Sequence, residues 1–187
     1  MKKLLIIAIA GLLFASCEKD EKEKTESDII VKEYGEDYVL DFHDRRGMKI
    51  NGTTRNLGVN IDINDDGVDD VMVCLTQYSG GEYIDYIPVS SFATVGGLRE
   101  YYLHYGDAIC DTTNWESETT LWFGSRPVSD EYIAVKFVTD TSVNYGWILP
   151  IIEPHYLYDL DDHCTVSIVK SGYCKTNGKA IFAGQEE

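Results

Sequence analysis

Apolar and polar residues alternate in short runs along most of the chain, and turn-forming residues separate these runs. Leu57 to Ile63 and Val71 to Thr76 are two such runs, and each places branched side chains on one face of a strand. Further strand-like runs occupy 38–42, 83–89, 118–123, 132–138, 144–149, 164–169 and 179–182, and 48–54 has the pattern of a hairpin that turns at Asn51-Gly52. No segment reads as a long amphipathic helix. The pattern therefore predicts an all-β fold, an antiparallel β-sandwich or partly closed barrel of roughly ten short strands.

The stretch between the first two runs, 62–70, carries an oxygen-bearing side chain at every second position and then Gly67, which permits a tight turn. Oxygen ligands are what calcium prefers in proteins. The predicted ligands are the side chains of Asp62, Asn64, Asp66 and Asp70 and the backbone carbonyl of Val68. Five acidic side chains in nine residues would repel one another without a counter-ion. The sequence predicts calcium as a cofactor, and the alternative is a polar hairpin loop rich in turn formers.

The spacing Asp-x-Asn-x-Asp-Gly-x-x-Asp resembles the strand-flanked calcium loops of integrin-type β-propeller repeats and of many exported bacterial β-proteins. An EF-hand would instead carry a Glu at the twelfth loop position between two helices, where this chain has Val73 in a strand-like run. A propeller needs several copies of the loop, and the chain has one. The resemblance implies a calcium loop within a β-protein, and it covers these nine residues alone.

Residues 1–16 have the layout of a secretory signal peptide: two lysines, then the apolar run Leu4 to Phe14, then Ala15-Ser16 before Cys17. The apolar run is too short to span a membrane as a stable helix. The small pair before Cys17 resembles the lipobox of bacterial lipoproteins, in which the cysteine is lipidated and begins the mature chain. The resemblance implies a membrane anchor at Cys17, with an ordinary cleaved signal or an uncleaved anchor as alternatives.

The segment 17–33 begins with an almost wholly charged run and is predicted to be a disordered tether, which leaves 34–187 as a single β-sandwich domain. Lys19-Asp20-Glu21 resembles the export signal that sends lipoproteins of one group of Gram-negative bacteria to the outer face of the outer membrane. We therefore expect a lipid-anchored outer-membrane protein exposed at the cell surface, with a periplasm-facing location as the alternative.

Charge narrows the range of partners. The chain has 16 basic and 32 acidic residues, and removal of residues 1–16 takes away two lysines, so the formal charge becomes 14 − 32 = −18. Nucleic acid is therefore excluded as a partner on electrostatic grounds. The expected partners are the membrane, through the lipid on Cys17, and an extracellular glycan or protein, since thirteen tyrosines and three tryptophans suit aromatic recognition.

A second resemblance concerns the C-terminal part of the chain. The segments 131–137, Asn144-Tyr-Gly-Trp-Ile148 and Lys179-Ala-Ile-Phe-Ala-Gly-Gln185 resemble the closing half of a β-domain found in many exported bacterial proteins. The resemblance implies fold and export, and it carries no catalytic residues over. Tyr145 and Trp147 are accordingly expected to pack within the sheet and not to contact a ligand.

Four cysteines remain besides Cys17, and an exported compartment permits disulfides, for which three pairings are possible. Cys164 and Cys174 are close in sequence, so a bridge between them is predicted if the chain turns back at Ser171-Gly172. The sequence contains no nucleophile, phosphate-loop or zinc-ligand motif, so no catalytic residues are predicted. Two function classes follow: a surface-anchored binding or structural module, or a small glycan-active hydrolase with paired carboxylates.

Overall fold

The computed structural model describes residues 27–41, 48–50, 53–55, 58–78, 81–90, 93–96, 103–116, 119–122, 127–155 and 163–187. Within these ranges the one helical element is the short 3-10 helix Glu36–Tyr38. None of the helical structure in the described ranges has the length and apolar character needed to cross a membrane. The signal peptide, Cys17 and residues up to 26 lie outside the described residues.

Sixteen strands form the described part of the domain. In chain order they are β1 (Ile29–Glu33), β2 (Val39–Asp41), β3 (Met48–Ile50), β4 (Thr53–Arg55), β5 (Val59–Ile61), β6 (Val71–Tyr78), β7 (Gly81–Pro88), β8 (Ala93–Gly96), β9 (Leu103–His104), β10 (Ala108–Ile109), β11 (Trp115–Glu116), β12 (Thr119–Trp122), β13 (Glu131–Val138), β14 (Val143–His155), β15 (His163–Cys174) and β16 (Ile181–Phe182).

These strands form three antiparallel sheets. The eight-stranded sheet has the order β1-β15-β14-β13-β8-β11, with β2 also paired to β15 and β9 to β13. The six-stranded sheet has the order β12-β7-β6-β4-β3, with β5 also paired to β6, and β10 pairs with β16 separately. The prediction of an all-β antiparallel fold is confirmed.

The main hydrophobic core lies where the two larger sheets meet. The six-stranded sheet contributes Ile61, Val73 and Ile84, and the eight-stranded sheet contributes Val135 and Ile148, all without solvent exposure. Burial of a large aliphatic side chain contributes about 1.5 to 3 kcal/mol. Two sheets with their inner faces packed on one core form a β-sandwich, as the alternation of apolar residues predicts.

The eight-stranded sheet is also covered on its second face. Along β13, Ile133 and Val135 face the main core, whereas Tyr132 and Ala134 belong to a second cluster that includes Ile181. The second cluster also contains residues of β10 and the C-terminal segment, which therefore lie over this face. Burial on both faces explains why β13 is nearly continuously apolar instead of alternating.

Trp147 joins the sheet to the C-terminal segment. Its side chain is 1% exposed, and its indole N–H donates a hydrogen bond of 3.2 Å to the carbonyl of Gln185. The ring of Tyr132 meets it edge-on at 5.4 Å between centroids. A Cβ at Gly172 would lie 2.4 Å from the indole, so only glycine leaves room for the ring. The expected packing role of Tyr145 and Trp147 is confirmed, since both are buried.

The predicted bridge between Cys164 and Cys174 is wrong. Both residues belong to the continuous strand β15, and Ser171 and Gly172 lie within that strand instead of forming a turn. Ten residues of strand span roughly 33 Å, whereas a disulfide needs Cα atoms within about 7 Å. The thiol of Cys174 is free and buried.

The predicted start of the domain at residue 34 is also corrected. Ile29–Glu33 forms β1, which pairs with β15 from Ile29 opposite Cys174 to Glu33 opposite Lys170. Ile29 is buried in the second cluster, so it contributes apolar burial that a solvated tether could not. The folded domain therefore begins at or before Ile29.

Candidate metal centre

The acidic loop 62–70 connects two paired core strands. β5 and β6 pair with Ile61 opposite Val71, and both of these side chains are fully buried. The backbone N–H of Asp70 donates to the carbonyl of Ile61 at 2.8 Å, which closes the loop at its base. The apolar alternation of the two strands thus fixes the ends of the loop, and the polar residues between them form its body.

Asp62 organises the first half of the loop. Its Oδ1 accepts a hydrogen bond from the N–H of Asp65 at 2.8 Å, and its Oδ2 accepts one from Gly67 at 3.1 Å. Asp65 and Gly67 have positive φ of 66° and 84°, a conformation that glycine and aspartate tolerate best. Turn-forming residues therefore occupy the positions where the backbone reverses.

Asn64 and Asp66 organise the second half in the same way. Asn64 Oδ1 accepts from the N–H of Asp66 at 3.0 Å, and Asp66 Oδ1 accepts from Val68 at 2.8 Å. The Asn64 amide also donates to Asp66 Oδ2 at 3.1 Å. Val68 lies at an exposed position of the loop. These contacts bring the predicted ligands into one small turn of chain.

Asp70 differs from the other loop carboxyls because it is only 2% exposed. Its Oδ2 accepts hydrogen bonds from the backbone of Ile63 at 2.9 Å and of Asn64 at 3.4 Å. Burial raises its pKa to about 6, the two amide hydrogen bonds oppose the rise, and the charges of Asp66 and Asp62 add to it. A cation placed at this carboxyl would therefore relieve an unfavourable buried charge.

Lys32 on β1 contacts the acidic loop, and sequence reasoning did not predict this contact. Its ammonium lies 2.8 Å from the carbonyl oxygen of Asp62, 3.2 Å from Asp62 Oδ2 and 2.8 Å from Asp65 Oδ1. Although burial opposes it, the contacts with Asp65 and Asp62 raise the pKa of Lys32. Lys32 is thus an internal counter-ion for the loop, supplied from a segment thirty positions earlier in the chain.

The loop has the donor chemistry of a hard-cation site, although its oxygens do not share one point in this arrangement. In the described ranges, no three His, Cys, Asp or Glu side chains form a group that could hold a metal ion. The oxygens of Asp62, Asn64 and Asp66 instead accept the loop's own amide hydrogens. All the predicted ligand atoms are oxygen, which suits Ca²⁺ and disfavours softer metals.

Two other groups of polar residues bear on function. Asp85 on β7 alternates with core-facing Ile84 and Tyr86, so it points away from the eight-stranded sheet that carries the buried Glu131. These two buried carboxyls therefore give no support to the paired-carboxylate alternative.

In the ladder of β14 and β15, the backbone of His155 lies opposite that of His163, a pairing that no local spacing could indicate.

Comparisons of the chain with protein-family models, with curated proteins and with solved structures find no match. The function must therefore be inferred from the residues and geometry of this chain. The acidic loop, with its buried carboxyl and its position between core strands, is the feature with the clearest chemistry.

Proposed function

We propose that this protein is a lipid-anchored module at the cell surface, whose β-sandwich is stabilised by calcium at the loop 62–70. Its role is binding or structural, and its partner is an extracellular glycan or protein. The observation that carries the proposal is the loop itself, in which five residues with oxygen ligands lie between β5 and β6 and one carboxyl, Asp70, is buried.

Calcium would act on this loop through charge. Burial raises the pKa of Asp70, and the nearby carboxylates of Asp66 and Asp62 add to the rise. An ion that binds only the folded loop adds RT ln(1 + [L]/Kd) to stability, about 4 kcal/mol when calcium is a thousandfold above its Kd. Because the paired strands hold the loop ends together, binding and folding should be coupled.

The anchoring part of the proposal rests on Cys17 and on the start of β1. If Cys17 carries lipid, the twelve residues from Cys17 to Asp28 connect the membrane to Ile29. A flexible chain of that length has a mean reach of about 20 Å, which leaves the domain close to the membrane surface. Several acyl chains would hold it stably, since each buried methylene adds about 0.8 kcal/mol.

Replacement of the lipidated cysteine tests the anchor. A Cys17→Ala variant should lose incorporation of a labelled lipid precursor and leave the membrane fraction, whereas Cys110→Ala should do neither. Protease accessibility on intact cells then separates a surface location from a periplasm-facing one. Unchanged lipid labelling in Cys17→Ala would refute the anchor.

Thermal unfolding with and without chelator tests the calcium site. Chelation should lower the melting temperature, and added calcium should restore it. Asp66→Ala should abolish the difference, whereas Asp140→Ala, an exposed aspartate outside the loop, should preserve it. Magnesium should restore stability poorly, because it demands a smaller and more rigid shell than this loop offers.

A glycan array separates the two function classes named by the sequence. Retention of a glycan without cleavage supports a binding module. Turnover of the same glycan would instead support the hydrolase. No observation in the described residues favours that alternative.

A further inference from the structure

Tyr105 is an exposed aromatic residue on a well-defined turn. Its side chain is 73% exposed, the highest value among the large apolar and aromatic side chains exposed in the described ranges. The turn is closed in both directions: Asp107 N–H donates to the His104 carbonyl at 3.0 Å, and His104 N–H donates to Asp107 Oδ2 at 2.8 Å. Gly106 adopts the positive φ of 86° that the turn needs. The ring is thus exposed on a backbone that is fixed.

The C-terminal segment also holds this turn in place through backbone hydrogen bonds. Gly106 N–H donates to the carbonyl of Ala183 at 2.9 Å, and Ala183 N–H donates to the carbonyl of Asp107 at 2.9 Å. A Cβ at Gly184 would lie 2.6 Å from Cδ2 of Tyr105, so the ring rests directly on the backbone of Gly184. A positioned aromatic ring loses little conformational entropy when it binds a partner.

The surroundings of the ring are aromatic and acidic. Phe182, 49% exposed, lies on the neighbouring strand β16. The hydroxyl of Tyr132 lies 2.7 Å from the same Cβ position at Gly184. Glu131 pairs with His104 in the ladder of β13 and β9, so Asp130 and Tyr105 both lie next to this pair, and Glu186 follows two residues after Gly184. Burial raises the pKa of Tyr132, and Tyr105 and the carboxylates of Asp130 and Glu186 raise it further, which agrees with this placement.

The charged groups on this side of the molecule leave it acidic. Asp107, Asp130 and Glu186 are exposed, and His104 is exposed beside them. The charge of Lys170 lowers the pKa of Tyr132, and its ammonium forms ion pairs with Glu33 and Glu186 at 3.0 Å each. We call Tyr105, Phe182, Asp130 and Glu186 the Tyr105 surface.

We propose that the Tyr105 surface binds a lysine or arginine side chain of a partner protein. A cation over the face of an exposed tyrosine is attracted by the ring, and adjacent carboxylates complete its charge. The charge of −18 on the chain without residues 1–16 would steer a basic partner towards the domain. A neutral sugar can stack on the ring and donate hydroxyl hydrogen bonds to the carboxylates, but it has no positive charge to compensate theirs. The inference rests on the proposed binding role and is independent of calcium.

The test uses the purified full-length chain and a fluorescent peptide of alternating lysine and leucine. Anisotropy at physiological salt gives its affinity, and a carbodiimide joins peptide amines to the carboxylates they contact. We expect cross-links at Asp130, Glu186 and Asp107 in preference to the loop 62–70. Tyr105→Ser should weaken binding about two- to fivefold. Val138→Ser, at another exposed apolar position, should not.

Two further arms make the outcome decisive. Asp130→Asn should weaken binding without touching the turn, and a peptide with glutamine in place of lysine should not bind. Equal affinity for the glutamine peptide, or cross-links spread evenly over the acidic chain, overturns the proposal. Concentration-dependent self-association that Tyr105→Ser abolishes would assign the surface to a second copy and also overturn it. Each of these failures leaves the chelation experiment unaffected, so it is distinguishable from a failure of the calcium proposal.

Discussion

Gly172 is a position where any side chain larger than hydrogen would clash with a buried ring. An alanine Cβ there would lie 2.4, 2.5 and 2.6 Å from Cε2, Nε1 and Cζ2 of Trp147. Separations below 3 Å are repulsive, and the indole cannot withdraw easily because it is 1% exposed and hydrogen bonded to Gln185. Gly172→Ala should therefore shift either the indole or strand β15.

The expected cost of Gly172→Ala follows from overpacking. Extra methyl groups in a well-packed core destabilise by about 1 to 3 kcal/mol. For a domain of this size, that corresponds to a fall in melting temperature of about 2 to 12 °C. Gly35 offers a matched control, since nothing lies within 4 Å of its Cβ position. Gly35→Ala should be neutral or stabilise slightly, by about 0.4 to 1 kcal/mol.

A double-mutant cycle assigns the cost to the indole. Trp147→Ala alone should destabilise by about 3 to 5 kcal/mol, but it empties the space above Gly172. In that background Gly172→Ala should cost little, so the two effects should be strongly non-additive. Chemical denaturation gives the free energies of unfolding. An undiminished cost of Gly172→Ala without the indole, or no cost with it, would refute the packing argument.

Two further predictions concern the acidic loop. Lys32→Met should lower stability in chelator by about 1 kcal/mol, because three contacts with Asp62 and Asp65 are lost. It should also tighten calcium binding about tenfold, because a competing positive charge is removed; unchanged stability and affinity would contradict both statements. Asp70 has a raised pKa in the folded state, so its proton stabilises the fold and that contribution is lost as pH rises from about 4 to about 6. In chelator, the free energy of unfolding of Asp70→Asn should therefore rise by about 3 kcal/mol relative to that of the wild type between pH 4 and pH 7. Chemical denaturation at each pH measures this difference, and a difference that does not change with pH would contradict the prediction.

The alternation of apolar and polar residues is sufficient to predict most of the strands of the fold. Alternation placed the strands of the main core, and Asn51-Gly52 indicated a hairpin whose strands do pair with Ile50 opposite Thr53. The turn residues themselves lie outside the described ranges. Runs bounded by turn formers are local signals, so a single sequence is sufficient to detect them.

Non-local contacts explain what the sequence could not predict. The run Ile29–Glu33 directly follows the charged tether, and its apolar part, Ile29-Ile30-Val31, is too short to predict a strand by itself. Its pairing with β15 shows that it belongs to the folded domain. The same strand brings Lys32 to the acidic loop, a contact that has no local pattern. The predicted turn at Ser171-Gly172 failed because Gly172 provides room for Trp147 instead of a chain reversal.

The central claim is that the loop 62–70 binds calcium, and titration calorimetry tests it most directly. The Cys17→Ala chain, freed of metal by chelator and exchanged into chelator-free buffer, is titrated with calcium and then with magnesium. The account predicts a saturable heat for one calcium ion, a much weaker response to magnesium, and loss of the calcium heat in Asp66→Ala but not in Asp140→Ala. No heat of calcium binding, together with a melting temperature that chelator leaves unchanged, would reduce the loop to a polar turn whose counter-ion is Lys32.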